Sequence, residues 1–255
     1  MYDLTIDKIT NAGKNKANLL KSSLLKYLIS AALAGSFIGF GIILTNAISS
    51  QLGQAGAHYS KIIGGVAFAV ALNLVIFTST ELFTGNNLVM SVATLNEGTK
   101  LTELLKIWLF SYIGNMVGAI ILSFIFVNTG FVDQGSLMEI FSNSAVAKAS
   151  PSFIQLLSRG ILCNVLVCFA ILMTFRTDND AAKVLLNTFC ILAFVIPGFE
   201  HSVANMTVYA VPLLSGTMPD VTLALAIKNL IPVTIGNIIG GGLIVGLGYY
   251  SLKSK

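Results

Sequence analysis

Two short polar stretches constrain this chain more than anything else in it: Glu81-Leu82-Phe83-Thr84-Gly85-Asn86 and Glu200-His201-Ser202-Val203-Ala204-Asn205. Each sets an acid and an Asn five residues apart inside an apolar run long enough to cross a bilayer. Hydrocarbon offers no water to a freed backbone group. Non-helical chain at that depth must therefore be buried in protein or line a cavity. Ionisable side chains there are costly enough to be read as functional by default. The pair predicts two broken helices that face each other across a pore, with His201 the one group beside them that titrates near neutral pH.

Composition supports a membrane setting. Of 255 residues, 55% are hydrophobic and only 10% charged, where a soluble domain carries about 25% charged residues. The expectation is a single polytopic membrane domain over residues 1–255. The net charge of +4 is spread over loop ends, which argues against nucleic acid as a partner. Cys163, Cys168 and Cys190 all lie in apolar segments and read as small buried hydrophobes. No CxxC or His/Cys cluster suggests a metal, and no cofactor motif is visible. Residues 1–26 carry five lysines and no compact apolar core ending at a cleavage site, so they do not read as a signal peptide. Leu4, Ile6, Ile9, Leu19, Leu20, Leu24 and Leu25 alternate there with the lysines. This predicts an amphipathic helix on the cytoplasmic face, with a mobile lid as the sharper reading.

Six apolar spans follow, at roughly 27–49, 61–95, 104–128, 152–175, 183–214 and 222–250. The second and fifth are too long for one simple crossing, and both contain an interruption. The fifth also carries Pro197-Gly198, where proline removes a backbone donor, and Ser202 is placed to cap a new half-helix. With the N-terminus inside, Lys8, Lys14, Lys16, Lys21, Lys26, Lys100, Lys106, Arg176, Lys183, Lys253 and Lys255 fall on the cytoplasmic side. Lys61, Lys148, Arg159 and Lys228 fall outside. Eleven against four predicts that both termini are cytoplasmic.

The two halves match. Gly35 pairs with Gly160, Glu81…Asn86 with Glu200…Asn205, and Ile113-Gly114-Asn115 with Ile235-Gly236-Asn237, at offsets from 119 to 125. Repeat 27–128 and repeat 152–250 each hold three crossings. The second must then enter from the opposite side, giving inverted repeats with substrate near the midplane at the broken helices. Half-helices starting near Thr84-Gly85 and near Ser202 would point free N–H groups and partial positive charge at the middle, which favours an anion.

Glu81 and Glu200 are the only carboxylates deep in the spans. They read either as structural acceptors at the breaks, together with Asn86 and Asn205, or as a proton relay. His201 can donate a hydrogen bond or a proton. Thr84 can offer a hydroxyl from the facing side, although a membrane Thr commonly bonds its own backbone. Leu72, Leu82 and Phe194 lie close to the breaks. By default they are core; if they narrow a pore, they strip water from whatever passes. Moving a bare ion into low dielectric costs on the order of 20 kcal/mol before relaxation. A weak acid avoids most of this by crossing as its neutral form, with a proton taken from His201 or from water. Lys148, in the outer loop before the fourth span, and Lys16, in the inner segment, read as solvated charges or as cations that concentrate anions. Asn205-Met206-Thr207 fits a glycosylation sequon but lies inside an apolar span.

The Glu81–Asn86 stretch, Phe199-Glu200-His201-Ser202-Val203-Ala204-Asn205-Met206 and Arg159-Gly160-Ile161-Leu162-Cys163-Asn164 resemble the signatures of the formate/nitrite transporter family, and the likeness runs over essentially the whole chain. Within the family the sequence is most similar to the hydrosulfide channel branch. The resemblance implies an all-α, aquaporin-like protomer in a homopentamer of the bacterial cytoplasmic membrane, with one pore per subunit. It implies passive or proton-coupled passage of hydrosulfide, formate or nitrite. It also implies Thr84 and His201 as the central polar pair, and Leu72, Leu82 and Phe194 as constrictions with Phe68 near the outer one. Asn164 would be a pore-side polar group, and Lys148 and Lys16 vestibule cations. Competing classes fit less well. A water channel needs two Asn-Pro-Ala motifs, which are absent. An ammonium channel needs paired pore histidines, and the second histidine, His58, falls in a loop. A membrane enzyme using Glu81, Glu200 and His201 would lack a nucleophile or cofactor motif.

Overall fold

The structure is a computed structural model that describes residues 2–54, 59–133 and 136–254. The expectation for His58 lies outside the described residues. The regular elements described are helical: α1 (Tyr2–Ser22), α2 (Leu24–Gln54), α3 (Ser60–Phe77), α4 (Phe83–Leu95), α5 (Leu101–Val127), α6 (Leu137–Ala149), α7 (Phe153–Thr174), α8 (Asp180–Val195), α9 (Ser202–Ser215) and α10 (Leu223–Ile238). A 3-10 turn lies at Phe131–Asp133, and α10 runs on through a π-helical stretch, Ile239–Leu247, into a last turn, Gly248–Tyr250. Among the described residues, five helical stretches are long and apolar enough to cross a membrane: Leu24–Gly53, Ser60–Thr78, Leu101–Val127, Phe153–Thr174 and Leu223–Tyr250. Many large apolar side chains on these helices face outward, among them Leu33, Phe40, Leu109, Phe124 and Leu243. Such a surface is solvated by lipid rather than water.

Small residues set how the long helices cross. A Cβ added to Gly118 of α5 would overlap the Ala32 carbonyl of α2, and one added to Gly236 of α10 would overlap the Leu157 carbonyl of α7. The α2–α5 and α7–α10 backbones therefore touch. In lipid no hydrophobic drive holds helices together, and this closeness supplies the packing that does.

The apolar stretch 61–95 is helical to Phe77 and again from Phe83, and the stretch 183–214 is helical to Val195 and again from Ser202. The first helix of each pair ends alike. Thr80 N–H bonds the Val75 carbonyl at 3.1 Å, with Ser79 left-handed at φ 54°. Phe199 N–H bonds the Phe194 carbonyl at 3.0 Å, with Gly198 left-handed at φ 83°. These are six-to-one C-terminal caps. Pro197-Gly198 thus stops α8 and turns the chain, rather than loosening a continuing helix.

Helix α1 is packed as well as amphipathic: Ile6, Ile9, Gly13 and Ala17 are buried, and a Cβ on Gly13 would overlap that of Ala93 in α4. Residues 137–149, expected as loop, form α6. Its Phe141 packs against Val211 of α9, and its Ala145 shares a cluster with Val208 and Tyr209. Thirteen residues are too few to cross a bilayer, so nothing in hydropathy marked this helix.

Candidate functional site: two opposed helix starts

Helices α4 and α9 begin face to face. Thr84, the second residue of α4, places Oγ1 2.9 Å from Nε2 of His201, the residue that caps α9. The expectation that Ser202 caps α9 is corrected. His201 Nδ1 accepts the Ala204 N–H at 3.1 Å, while Ser202 Oγ is buried with no partner among the described residues. Imidazole wins because its near nitrogen reaches the third N–H of the helix, the usual capping geometry. That bond fixes the tautomer. Nδ1 must present its lone pair, so in the neutral ring Nε2 carries the proton and donates to Thr84 Oγ1. The Thr84 hydroxyl proton has no acceptor among the described residues.

The start of α4 differs. Its cap residue, Leu82, stands 119 residues before His201 and has no side-chain acceptor. The N–H groups of Thr84 and Gly85 are left without partners among the described residues. The facing starts therefore offer a hydroxyl backed by an imidazole N–H, and free backbone N–H groups, within one buried region, at the positive ends of two helix dipoles.

Apolar side chains enclose these donors. Phe194 stacks on the His201 ring with centroids 6.2 Å apart and planes 17° apart, and Phe68 meets Phe194 edge-on at 6.1 Å. Leu72 and Leu82 belong to the same cluster, each at most 3% exposed. A cavity of about 460 Å³ lies on the α1 side. Lys16 and Leu19 of α1, Val75 of α3, Thr80, Glu81 and Leu82 of the connection and Ile171 of α7 are among its lining, and it reaches Leu82 and Gly85.

Each break carries a buried carboxylate. Glu81 Oε1 lies 3.0 Å from Lys16 Nζ, and Glu81 Oε2 accepts from Tyr27 Oη at 3.1 Å and Asn86 Nδ2 at 3.0 Å. Glu200 Oε2 lies 3.0 Å from Lys148 Nζ and accepts from Asn205 Nδ2 at 2.6 Å. Asn205 also bonds Asn229, whose Nδ2 reaches the Lys148 carbonyl at 2.6 Å. One expectation is corrected here: Lys148 stands on a helix, not in a loop, and both lysines are paired with a buried glutamate. A carboxylate this buried is tolerated only with a partner, and each lysine supplies that charge.

Asn164 sits beside Thr84, with its Nδ2 committed to the Thr84 carbonyl at 3.2 Å, Asn87 Oδ1 at 3.0 Å and the Asn237 carbonyl at 2.6 Å. It joins three helices, and the π-helical stretch starts two residues after that last carbonyl, at Ile239. Tyr27 and Asn229 were missed from sequence. An aromatic and an amide in apolar helices carry no mark of their partners.

The chain matches the family model "Formate/nitrite transporter" over residues 3–251. It is 34% identical over 263 residues to the nitrite transporter NirC of Escherichia coli (strain K12), covering 100% of this chain and 94% of that one. Among solved structures it resembles an "FNT family ion channel" with TM-score 0.91 at 33% identity, over 98% of this chain and 99% of the other. It also resembles a "Pentameric formate channel with formate bound", with TM-score 0.78 at 30% identity over 91% and 98%.

Proposed function

The chain belongs to the formate/nitrite transporter family, a family of multi-pass membrane proteins, and from that premise we propose that it conducts small monovalent weak-acid anions between the starts of α4 and α9. The protomer has six crossings in two inverted repeats, the second (α3–α4) and fifth (α8–α9) broken, and both termini are cytoplasmic. The matching helix caps at Thr80 and Phe199 and the matching Lys-Glu-Asn groups support this reading. Five protomers assemble, as the name of the pentameric relative suggests.

The observation that carries the mechanism is the 2.9 Å contact of Thr84 with an imidazole whose other nitrogen caps α9. An anion enters past a lysine paired with its glutamate, so the vestibule does not trap it. At the centre the free Thr84 hydroxyl donates to it, strengthened by the His201 N–H behind. Phe68, Leu72, Leu82 and Phe194 exclude water, which makes a full charge expensive there. The anion therefore crosses as its neutral acid. His201 cannot hold a second proton on Nδ1 without losing its cap bond to Ala204, so it serves as a fixed neutral donor and the proton comes from water.

Nitrite and formate are the anions named for relatives. Hydrosulfide, suggested by the branch resemblance, shares with them small size, a single charge and a neutral conjugate acid. The test is flux of all three into proteoliposomes over a pH series. Flux of at least one, rising as the outer solution is acidified, is expected. Folded protein that passes none of them at any pH would overturn the reading, and chemical turnover of any of them would replace it with an enzyme.

A further inference from the structure

We propose that Asn115 and Asn237 are a mirrored pair of positioning residues, one for each helix start, a role that rests on the conduction reading above. Asn115, on α5, donates from Nδ2 to the Ala31 carbonyl at 2.7 Å and to the Glu81 carbonyl at 2.9 Å, and its Oδ1 accepts the Phe83 N–H at 2.9 Å. Asn237, on α10, donates to the Gly160 carbonyl at 2.8 Å and to the Glu200 carbonyl at 3.0 Å, and accepts the Ser202 N–H at 2.9 Å. Both side chains are fully buried.

The bonds take both N–H groups and the carbonyl of each amide, which is its main hydrogen-bonding capacity. They also explain why the residue is Asn. A carboxylate would set negative charge against two carbonyls. An apolar side chain would strand three backbone groups where water cannot reach them.

What each amide holds is specific. Glu81 O and Phe83 N–H flank Leu82, and Glu200 O and Ser202 N–H flank His201. Each Asn thus grips the cap residue from both sides and fixes its backbone. On the α9 side the gripped residue is the imidazole that donates to Thr84. On the α4 side it is Leu82, an apolar wall, with Thr84 two residues on. The two halves share one device, but its output differs. Asn237 sets the donor, and Asn115 sets the width.

The experiment uses full-length protein in liposomes with isotope-labelled histidine. The chain has two histidines, so a His58→Gln background leaves His201 as the only labelled ring. Solid-state NMR then reads its tautomer directly. In the parent, a bare Nδ1 and a protonated Nε2 are expected. Asn237→Ala should mix the tautomers and cut formate flux about tenfold, the scale of one lost hydrogen bond to a positioned donor. Asn115→Ala should leave the ring signal unchanged and raise lactate flux relative to formate about threefold or more, a modest loss of steric discrimination. Where an alanine variant fails to fold, Asn237→Ser and Asn115→Ser, which keep a small polar group, take its place with the same two readouts. Folded variants with the parental ring signal and parental flux ratios would overturn the proposal. Parent protein without flux would defeat the conduction reading, while the ring signal would still decide whether Asn237 positions His201.

Discussion

Lys148 Nζ lies 3.0 Å from Glu200 Oε2, and the carboxylate side chain is only 3% exposed. Lys148→Met leaves that carboxylate facing Asn205 alone. The expected loss is about 2 kcal/mol, below the 3–5 of a fully buried pair because the lysine is partly solvated. The double variant Lys148→Met/Glu200→Gln should recover most of it. Thermal denaturation of solubilised protein reads both; losses that simply add would show that the pair is not coupled.

His201 carries two separable tasks. His201→Asn keeps a good N-cap but is too short to reach Thr84, so stability should stay near the parent. His201→Ala should lose about 1 kcal/mol of stability with the cap. Both should lower flux roughly 10- to 100-fold, the scale of a lost donor in a dry site. The pH dependence should keep its shape in His201→Asn, because the transferred proton comes from water. A pH profile that flattens in this variant would reassign the proton to the imidazole.

Much of the site was legible because the repeat is written in chemistry. The acids, the asparagines and the Gly-Asn pairs recur at nearly one offset, since each break needs the same acceptors and donors. The Thr84–His201 contact is not a repeat pair, because the mirror of His201 is Leu82. It came from the family likeness together with the expectation that the helix starts oppose. Lys16 and Lys148 stand 132 residues apart, outside the offsets of the other pairs. Helix α2 has 31 residues against 22 in its counterpart α7, and that hides the match. Ser202 was favoured as a cap by propensity, which cannot see that a neighbouring imidazole reaches the same N–H.

Gly118 of α5 should tolerate no side chain. Gly118→Ala pushes α5 from the Ala32 carbonyl and should cost about 1–3 kcal/mol, the usual penalty of overpacking. Gly216→Ala gives a different kind of loss, since space is open there but φ is 66°, and should cost about 1 kcal/mol from backbone strain. Melting temperatures of the two variants rank the effects; equal and negligible shifts would contradict the α2–α5 backbone contact.

The C-terminal tail is tied to α1 by a carboxylate. Asp3 accepts the Ser254 N–H at 2.9 Å and the Ser254 hydroxyl at 3.0 Å. These bonds hold its carboxyl below the ordinary value of 3.8. A depressed folded value means that the tether is fully present above the unfolded pKa and is lost as pH falls through the folded one. Hydrogen exchange at Ser254 should therefore be constant from neutral pH down to about pH 4 after correction for intrinsic rates, and rise only below it. Asp3→Asn should remove the acid-induced rise. A change between about pH 6 and pH 8 would place the controlling group elsewhere.

The most direct measurement is formate flux through Thr84→Val and Thr84→Ser in matched proteoliposomes. Valine keeps the shape and removes the hydroxyl; serine keeps the hydroxyl. The account predicts that serine stays within about threefold of the parent and that valine falls about tenfold or more, since the hydroxyl is the side-chain donor that meets the passing anion. Parental flux through Thr84→Val would place the path, or its central donor, somewhere other than between the starts of α4 and α9.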